Sequence, residues 1–504
     1  MISTIGLQGT LDGIIKYLNP FSPLISCHMV NYITDGHWKT FIPQNIQNEI
    51  GTEENIAEAL DVYWNHDSVS QEELSKFSNF VQFIEEGRKF SYDSLTHTWI
   101  DAVRFRDIMN VVGCSVDSAG YLKIKEFMSP KKNHEVEETA KLVSTLCTFR
   151  MQNDDRLVII EAGDGKGYLS SRLSLEYKLK VLGIDSSPTN TENAIKRSAR
   201  LEKAWNGLTK RAEDIENGIV PPRKGRRNYK SGGQSPSQSQ VCHLAMENYK
   251  TSTHYITPQT DFVKLFDQHF PHENPTGFCL SGLHTCGNLA SSCLRIFTEN
   301  KDLNVLCNVG CCYHLLGEEF CVDEFFENRR VREIEIDSGF PMSNYLRNQE
   351  FKLGRNARML GSQSIHRTKQ EKDLPQISLF YRALLETLIA DKYPEYKNRI
   401  QVGRSKRTTN FVDYVRVACK KGELNFDSIT DDELLTLEKS LDHHRLQINL
   451  FYLVRMTFAP VIETLILLDR LLYVKENDIS NSFLVKLFDP VVSPRCFAIV
   501  AMKT

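Results

Sequence analysis

Residues 158–170, VIIEAGDGKGYLS, join a run of β-branched residues directly to three alternating glycines, Gly163, Gly165 and Gly167. A strand that turns sharply into a helix presents unpaired backbone N–H groups at its end. Glycines in such a turn permit positive φ angles and let a ligand approach the main chain. The stretch therefore predicts a strand, a ligand-binding turn and a helix at the start of a doubly wound α/β unit.

Three nucleotide-binding patterns compete for this loop. A Walker loop requires Ser or Thr after its lysine, but Lys166 is followed by Gly167. A dinucleotide fingerprint requires a third glycine where this chain has Tyr168. The pattern that remains, an acidic residue and three alternating glycines starting at Glu161, is typical of loops that bind the methionine end of S-adenosylmethionine. A glycine turn with a purely structural purpose stays open as the alternative.

The next strand supports the cofactor interpretation. The segment VLGIDSS places Asp185 at a strand end, eighteen residues after Gly167. A carboxylate there can accept both ribose hydroxyl hydrogens, as the acidic residue of Rossmann folds does. Glu161 is expected to bind the methionine ammonium, the alternative being an ordinary exposed carboxylate. Ser186 and Leu283 complete the predicted S-adenosylmethionine site.

Short apolar runs that end in polar or small residues indicate the strands. They are RLVIIEAG, KLKVLGIDSS, GFCLSGLHTCG and NVLCNVGCC, and near-continuous apolar strands of this kind form parallel sheets covered on both faces. A further strand is expected at THYITP, residues 253–258. Two apolar runs within residues 482–503 predict a closing antiparallel hairpin. This combination fits the class I methyltransferase variant of the doubly wound, Rossmann-like α/β fold.

The composition along the chain predicts four regions. Residues 1–125 are expected to form a helical N-terminal region, and residues 126–317 the first part of the methyltransferase domain. A helix begins near Asn133, and a Ser/Gly/Gln-rich stretch at about 215–245 is expected to be disordered. Residues 318–448 form a helical insertion over the carboxyl edge of the sheet, and residues 449–504 the final helix and hairpin.

The overall composition indicates a soluble intracellular protein of cytoplasm or nucleus. Thirteen cysteines in 504 residues read as reduced thiols, and the N-terminus lacks the pattern of a signal peptide. The net charge of −3 gives no global attraction to nucleic acid, so a basic surface must be local. The most apolar stretch, residues 449–474, contains charged residues and a proline, which favours a buried helix pair over a membrane span.

Six further segments resemble one family. They are MSPKKNHEV, GLHTCGNLA, NVGCCYHLL, FPMSNYL, LGRNARML and SPRCFAIVA, and together they are similar to the methyltransferase-like protein twenty-five family over about residues 90–504. The family includes a relative named after ribosomal RNA adenine dimethylases. The resemblance implies a class I fold and S-adenosylmethionine as cofactor, with Glu161 and the three glycines in the loop and Asp185 at the ribose. This chain departs from the usual pattern in having Glu161 instead of Asp, and Asp164 inside the loop.

The fourth strand carries the candidate catalytic residues. Ligands of doubly wound sheets bind where the strand order reverses, beside the carboxyl end of this strand. His284 is expected to be a general base, and Cys286 a nucleophile or a polarisable wall. Packing and cofactor lining stay open as alternatives. The motif of Asp or Asn, two prolines and an aromatic residue is absent, which disfavours methylation of an adenine amine.

A second group of thiols and imidazoles follows the fifth strand. With His284 and Cys286, the residues Cys311, Cys312 and His314 could supply a zinc site. Adjacent cysteines seldom chelate one metal together and no C-x-x-C pair exists, so the spacing favours a wall of thiols, Tyr313 and His314, without a metal. The His-x-Cys-Gly and Cys-Cys-x-His segments also resemble the transfer-RNA 2′-O-methyltransferase group, which favours RNA as substrate.

Several basic residues are candidates for contact with an anionic substrate. Lys132 and His134 precede the first strand, and Arg355 and Arg358 lie one helical turn apart, able to grip phosphate or carboxylate. A solvated helix surface is the alternative for both pairs. Two basic segments, residues 223–227 and 404–407, are candidates for a local RNA surface; the first is also consistent with a solvated loop or a nuclear signal.

These patterns lead to one principal hypothesis and two alternatives. The principal hypothesis is an S-adenosylmethionine-dependent methyltransferase whose acceptor the sequence does not identify, with RNA as the favoured class. The first alternative is a protein methyltransferase. The second is a non-catalytic RNA- or protein-binding module on a methyltransferase scaffold, and the intact glycine loop with Asp185 argues against it. The oligomeric state does not follow from the sequence.

Overall fold

A computed structural model describes residues 2–65, 75–111, 128–151, 156–219, 247–321, 338–396 and 408–503, apart from residues 423, 425 and 427. The first described elements are mostly helices. They are α1 (Thr4–Leu18), α2 (Ser22–Ser26), α3 (His37–Phe41), α4 (Gln44–Glu49), α5 (Glu53–Asn65), α6 (Ser78–Lys89), β1 (Ile100–Asp101) and α7 (Ala102–Val111).

Strands and helices then alternate as in a doubly wound fold. These elements are α8 (Pro130–Met151), β2 (Leu157–Ala162), α9 (Tyr168–Glu176), β3 (Val181–Asp185), α10 (Pro188–Glu216), β4 (Tyr249–Thr253), α11 (Phe262–His269), β5 (Gly277–Cys286), α12 (Asn288–Glu299) and β6 (Leu303–Cys311).

The remaining elements are eight helices and the final hairpin in the described part of the chain. They are α13 (Asn344–Arg347), α14 (Arg355–Gly361), α15 (Ile365–Glu371), α16 (Ile377–Lys392), α17 (Phe411–Gly422), α18 (Asp431–Leu441), α19 (His444–Met456), α20 (Ala459–Glu476), β7 (Ser482–Lys486) and β8 (Phe497–Met502).

The strands form one mixed sheet in the order β1-β7-β8-β6-β5-β2-β3-β4. All neighbours are parallel except β8, which runs antiparallel to β6 and β7. This confirms the predicted α/β class I methyltransferase fold with its C-terminal antiparallel hairpin. The strand order reverses between β2 and β5, which places a ligand crevice at their carboxyl ends.

The central strands form because their side chains are buried on both faces. All six residues of β2 are buried, as are eight of the nine in β6. Such strands lie between two helical layers and lose the apolar–polar alternation of a half-exposed strand. The near-continuous apolar runs that predicted them follow from this burial.

Three expectations about individual elements need correction. The strand that was expected at residues 253–258 lies at residues 249–253 instead, as β4. The predicted and observed strands share one residue, Thr253. β4 is an edge strand with the polar sequence YKTST, so it carries little apolar signal. The N-terminal region also contributes β1, paired with β7. Helix α8 begins at Pro130 rather than near Asn133, since proline is favoured in the first helical turn.

One continuous core joins the N-terminal helices to the sheet. Leu7, Leu11 and Ile14 of α1 belong to the same buried cluster as Ile159 of β2, and α1 packs against α20. The segment His444–Glu476, formed by α19 and α20, is the one described stretch long and apolar enough to cross a membrane. Its most apolar window is 94% buried inside the protein, as in the predicted buried helix pair.

Hydrogen bonds of two arginines connect the helices after residue 337 to the β7–β8 loop at the carboxyl edge of the sheet. Arg367 of α15 donates to the carbonyls of Val491 and Val492 in the β7–β8 loop, at 2.9 and 2.8 Å. Arg495 donates in return to the carbonyl of Gly361, at 2.7 Å. These bonds fix α14, α15 and the β7–β8 loop together beside the site. The basic segments at 223–227 and 404–407, and most of the predicted 215–245 insertion, lie outside the described residues.

Candidate active site at the carboxyl edge of the sheet

The glycine loop connects β2 to α9 in a backbone conformation that favours glycine. Gly163, Gly165 and Gly167 have φ angles of 74°, 60° and 66°. The N–H of Gly163 donates to the carbonyl of Ile184 at 2.8 Å, and that of Gly165 to Oδ2 of Asp185 at 2.9 Å. The loop is thus fastened to the end of β3, as the sequence pattern requires.

The three glycines have different surroundings. A Cβ on Gly167 would lie 2.4 Å from the Tyr249 hydroxyl, and one on Gly163 would lie 3.0 Å from a Leu289 methyl. A Cβ on Gly165 would meet nothing closer than a carbonyl oxygen at 3.9 Å. Packing therefore requires two of the glycines, and the open space for a ligand lies at Gly165.

Asp185 is more heavily bonded than the sequence predicts. Its Oδ2 accepts from Gly165, and its Oδ1 accepts from the Ser187 N–H at 2.8 Å and the Asn190 amide at 3.0 Å. A carboxylate has about four acceptor positions, so about one remains for a ribose hydroxyl. Asp185 stays the predicted ribose residue, and binding of both ribose hydroxyls would require one of the present bonds to open.

Glu161 joins β2 to β5 at the reversal of strand order. Its side chain is 1% exposed, which rules out the alternative of an ordinary exposed carboxylate. Oε1 accepts the Leu283 N–H at 3.0 Å, whereas Oε2 is buried with no partner of hydrogen-bond geometry among the described residues. Burial raises the pKa of Glu161 to about 8. The Ser281 hydroxyl and the Leu283 N–H oppose this rise. A buried acceptor that lacks a well-aligned hydrogen bond, at the start of an open glycine loop, is the feature that a cofactor ammonium would satisfy.

Asp164 does not add its charge to the open side of the loop. Its side chain packs over Gly183 of β3 and accepts the hydroxyls of Ser170, at 2.6 Å, and Tyr249. Burial raises the pKa of Asp164 to about 6, and these two hydroxyls oppose the rise. Asp164 is therefore a structural residue of the loop. Of the other two predicted cofactor residues, Ser186 is exposed and Leu283 is buried.

His284 lies at an irregular point of β5. The register between β5 and β6 shifts at this residue, and its φ angle is 67°, a conformation uncommon outside glycine. The bulge directs the imidazole so that Nε2 lies 3.0 Å from Oε1 of Glu135. Strained residues of this kind cost about 1–3 kcal/mol and cluster at functional sites. The geometry therefore supports the prediction that His284 is a site residue.

The partner of His284 is a residue that sequence reasoning missed. Glu135 is 1% exposed and also accepts the hydroxyl of Ser493 at 2.7 Å, while Nζ of Lys132 lies 3.1 Å away. Burial would raise the pKa of Glu135, but His284, Lys132 and Ser493 together lower it to about 2. A buried carboxylate that is ionised and held by three groups is suited to orient an imidazole. The sequence signal that could have identified Glu135 is its position as an acidic residue in the first turns of a mostly buried helix.

Two predicted substrate residues have partners within the protein. Lys132 is paired with Glu135, and Nε2 of His134 accepts the backbone N–H of Asp489 at 3.4 Å. His134 also packs edge-on against Phe488, 5.8 Å between ring centroids. Lys132 therefore holds Glu135 in place, and His134 holds the β7–β8 loop. The side chain of Lys132 is also 30% exposed to solvent.

The predicted wall of thiols forms at the ends of β5 and β6. Cys286 and Cys311 are paired in register, with their Sγ atoms 3.0 Å apart, and Sγ of Cys312 lies 3.6 Å from that of Cys311. The Cys311 thiol, with Cys312, lowers the pKa of Cys286 to about 6 against the effect of burial. The lowered pKa favours the thiolate of Cys286, the form in which a cysteine acts as a nucleophile or metal ligand.

Tyr313 and Arg358 were expected at the substrate, and the structure corrects both. Tyr313 is 1% exposed and donates its hydroxyl to Glu463 at 3.1 Å. Arg358 is fully buried, pairs with Glu318 at 2.8 Å and donates to the carbonyls of Tyr313 and Leu316. Through these contacts, Tyr313 and Arg358 hold the segment after β6 in place from its buried side. Helical spacing alone did not show that a fully buried acidic partner for Arg358 lies forty residues earlier.

Arg355 and His314 remain partly accessible in this region. Both are half-buried, and His314 has a buried Nδ1 without a hydrogen-bond partner in the described part of the chain. Burial, with the charges of Arg355 and Arg358, lowers the pKa of His314, so this imidazole is neutral at pH 7. The predicted pair of arginines is therefore reduced to Arg355 with His314 nearby.

Comparison with known proteins agrees with this site. The family model described as "Methyltransferase domain" matches residues 131–319, from helix α8 to just beyond β6. The chain is 30% identical over 599 aligned positions to "Probable methyltransferase-like protein 25" of Homo sapiens, covering 99% of this chain and 97% of that protein. It belongs to the methyltransferase-like protein 25 family. The corresponding protein of Mus musculus is also 30% identical, with 99% and 96% coverage.

Membership of the methyltransferase-like protein 25 family confirms the resemblance drawn from the sequence motifs. The matched domain contains the glycine loop, Asp185 and His284, so its boundaries enclose the proposed cofactor cradle and the candidate base. It excludes α14, α15 and the β7–β8 loop, although Ser493 of that loop completes the Glu135 cluster. A probable methyltransferase is the function that these relatives and the fold support together.

Proposed function

We propose that the protein transfers the methyl group of S-adenosylmethionine to a hydroxyl or amine acceptor, with RNA as the favoured substrate class. Two observations carry the cofactor part of the proposal: Oε2 of Glu161 is buried and has only the nearby Ser281 hydroxyl as a polar neighbour among the described residues, and the position at Gly165, four residues later, is open. Gly165 and Glu161 would hold the methionine end and Asp185 the ribose. When bound, the cofactor supplies an electrophilic methyl on a sulfonium.

The residues of the chain supply alignment and a base. Holding the acceptor in line with the methyl–sulfur bond converts a bimolecular step into an oriented one, worth about 7–11 kcal/mol of barrier. Nε2 of His284 donates to Glu135. Nδ1 is therefore the atom that takes the proton from the group being methylated. Glu135 is already ionised and stabilises the imidazolium that forms.

The lean toward RNA rests on the proton-accepting pair and on local charge. A ribose hydroxyl must lose a proton when it is methylated, and the His284–Glu135 pair suits that step. The side chains of Lys131 and Lys132 are 48% and 30% exposed beside this pair. These cations offer a phosphate-binding surface at the crevice, although the net charge is −3. Transfer of label to protein alone would instead favour the protein methyltransferase alternative.

Cofactor binding is tested by the free energy of unfolding with S-adenosylhomocysteine. At about one hundred times its Kd, the ligand is expected to add about 2.7 kcal/mol of stability to the wild-type protein. Asp185→Ala and Gly165→Arg should lose this gain. Gly207→Arg, at an exposed helical position with open space around it, is the matched control and should keep it. A folded wild-type protein that gains no stability contradicts the cofactor assignment.

Glu161 makes cofactor affinity depend on pH. Below its pKa of about 8 the carboxyl holds a proton that an incoming ammonium displaces, so affinity should rise by up to about tenfold per pH unit from pH 6 to pH 8. Glu161→Gln should flatten this dependence and weaken binding about tenfold at pH 8. Isothermal titration with S-adenosylhomocysteine measures both effects. Glu192→Gln, an exposed helical carboxylate, is the control; a wild-type affinity independent of pH would contradict the ammonium contact.

A further inference from the structure

The three thiols at the ends of β5 and β6 form a cluster that methyl transfer does not require. The ligand atoms of Cys286, Cys311 and Cys312 all lie within 4.8 Å of one another. Cys286 is exposed, Cys312 is half-buried and Cys311 is buried, so the cluster opens on one side toward the crevice. Its backbone is fixed by the pairing of Cys286 with Cys311 in adjacent parallel strands.

A turn in the backbone brings the adjacent cysteines together. Consecutive side chains of a strand point to opposite faces, which is why neighbouring cysteines seldom share one ligand. Here β6 ends at Cys311, and Cys312 has a φ angle of 53° in the left-handed region. This turn places the Cys312 thiol 3.6 Å from that of Cys311. The objection from sequence spacing therefore does not apply to this conformation.

The distances between the thiols are close to those of a metal site. Zinc–sulfur bonds of about 2.3 Å in tetrahedral geometry put sulfur atoms about 3.8 Å apart. The observed separations of 3.0 and 3.6 Å would open by less than about 1 Å to reach this value. Changes in side-chain torsion at three strand-end residues can supply such a shift while the strands stay paired.

Cationic side chains lie close to the thiol cluster. Arg470 is 2% exposed, lies against Gly310, and its Nε and Nη2 have no hydrogen-bond partner among the described residues. Electrostatic interactions join Arg470 to Cys311, Arg495 to Cys312, and Lys132 to Cys286. The Cys286 thiol raises the pKa of Cys311 and burial raises that of Cys312, so a bound metal must displace the protons of these two thiols. Three thiolates and one divalent cation carry a net charge of −1, which these cations can balance.

We propose that Cys286, Cys311 and Cys312 bind a thiophilic metal ion, Zn²⁺, through three thiolates, with the fourth coordination position open to the crevice. Binding forms three zinc–sulfur bonds and releases the protons still held by the three thiols, with no change in oxidation state. An open fourth position distinguishes such a site from a closed structural zinc site. The site is separate from the cofactor cradle, so its occupancy does not depend on the proposed methyl transfer.

The test is the zinc content of the full-length protein. Protein that has been reduced, stripped of metal and reloaded with Zn²⁺ should retain one ion per chain after gel filtration. Cys286→Ser and Cys312→Ser should each lose it. Cys27→Ser is the matched control, because the Cys27 thiol donates to the Leu24 carbonyl at 3.2 Å, far along the chain from the cluster, and a serine hydroxyl preserves that bond.

A second measurement does not depend on protein yield or on activity. Co²⁺ in place of Zn²⁺ should give sulfur-to-cobalt charge-transfer absorption in wild type and Cys27→Ser, and this absorption should be lost in the two cluster variants. Circular dichroism verifies that each variant is folded. The proposal is overturned if folded, reduced wild-type protein retains no Zn²⁺. It is also overturned if the wild type and both cluster variants retain equal amounts of Zn²⁺. A Cys286–Cys311 disulfide that persists under the reducing conditions of the metal-loading step would also overturn it.

Discussion

Replacing His284 with asparagine is expected to slow methyl transfer about 10²–10⁴-fold, the usual contribution of a general base. Asparagine suits the test because it tolerates the left-handed backbone conformation, φ 67°, that His284 adopts. The variant should therefore fold and keep its affinity for S-adenosylhomocysteine. The measurement is the rate of label transfer from methyl-labelled S-adenosylmethionine to an unmodified RNA pool, at saturating cofactor.

Two further variants separate a base from a structural residue. His284→Gly fits the same φ angle and leaves a space that added imidazole can fill, so imidazole should restore part of its activity. Glu135→Gln keeps the size of the side chain but removes the charge beside the imidazole, and should lower kcat while leaving the KM for cofactor unchanged. If His284→Asn retains wild-type activity, proton removal does not involve this residue and acceptor alignment alone supports the reaction.

The parts of the fold that sequence predicted are those in which local pattern and tertiary environment agree. Strands β2 and β6 are buried on both faces, so their sequences are mostly apolar and are easy to identify. The glycine loop was equally clear because positive φ angles strongly restrict residue choice. Edge strand β4 was misplaced in the prediction because its polar sequence lacks the apolar run that marks the buried strands.

The site was predictable where its residues lie within one motif and not where distant segments meet. His284 and Cys286 were found from their place at a strand end. Glu135 was not, since its role depends on a bulge in β5 that turns the imidazole toward α8. The convergence of three thiols depends similarly on one left-handed residue, Cys312, which sequence spacing does not reveal. Backbone irregularities therefore explain why the partner of His284 was missed and why the spacing of the predicted thiol wall disfavoured a metal.

Arg358→Met is expected to destabilise the protein by about 3–5 kcal/mol, because removing one partner leaves a buried charge without compensation. The side chains of Arg358 and Glu318 are both fully buried, and Oε2 of Glu318 accepts from Nε of Arg358 at 2.8 Å. Without the guanidinium, Glu318 retains the N–H groups of Leu353 and Gly354 as its hydrogen-bond donors among the described residues. Urea unfolding should show a lower midpoint at an unchanged slope.

The matched control for this prediction is Arg355→Met, one helical turn away. Arg355 is half-buried and has no hydrogen bond or ion pair within the described ranges, so its loss should change stability by less than about 0.5 kcal/mol. The double variant Arg358→Met with Glu318→Gln should recover part of the lost stability, since it removes the uncompensated charge. If Arg358→Met were as stable as wild type but bound the RNA pool more weakly, Arg358 would be a substrate residue after all. The buried pair predicts the opposite: any loss of RNA binding should follow Arg355→Met, because Arg355 is the partly accessible arginine of the two.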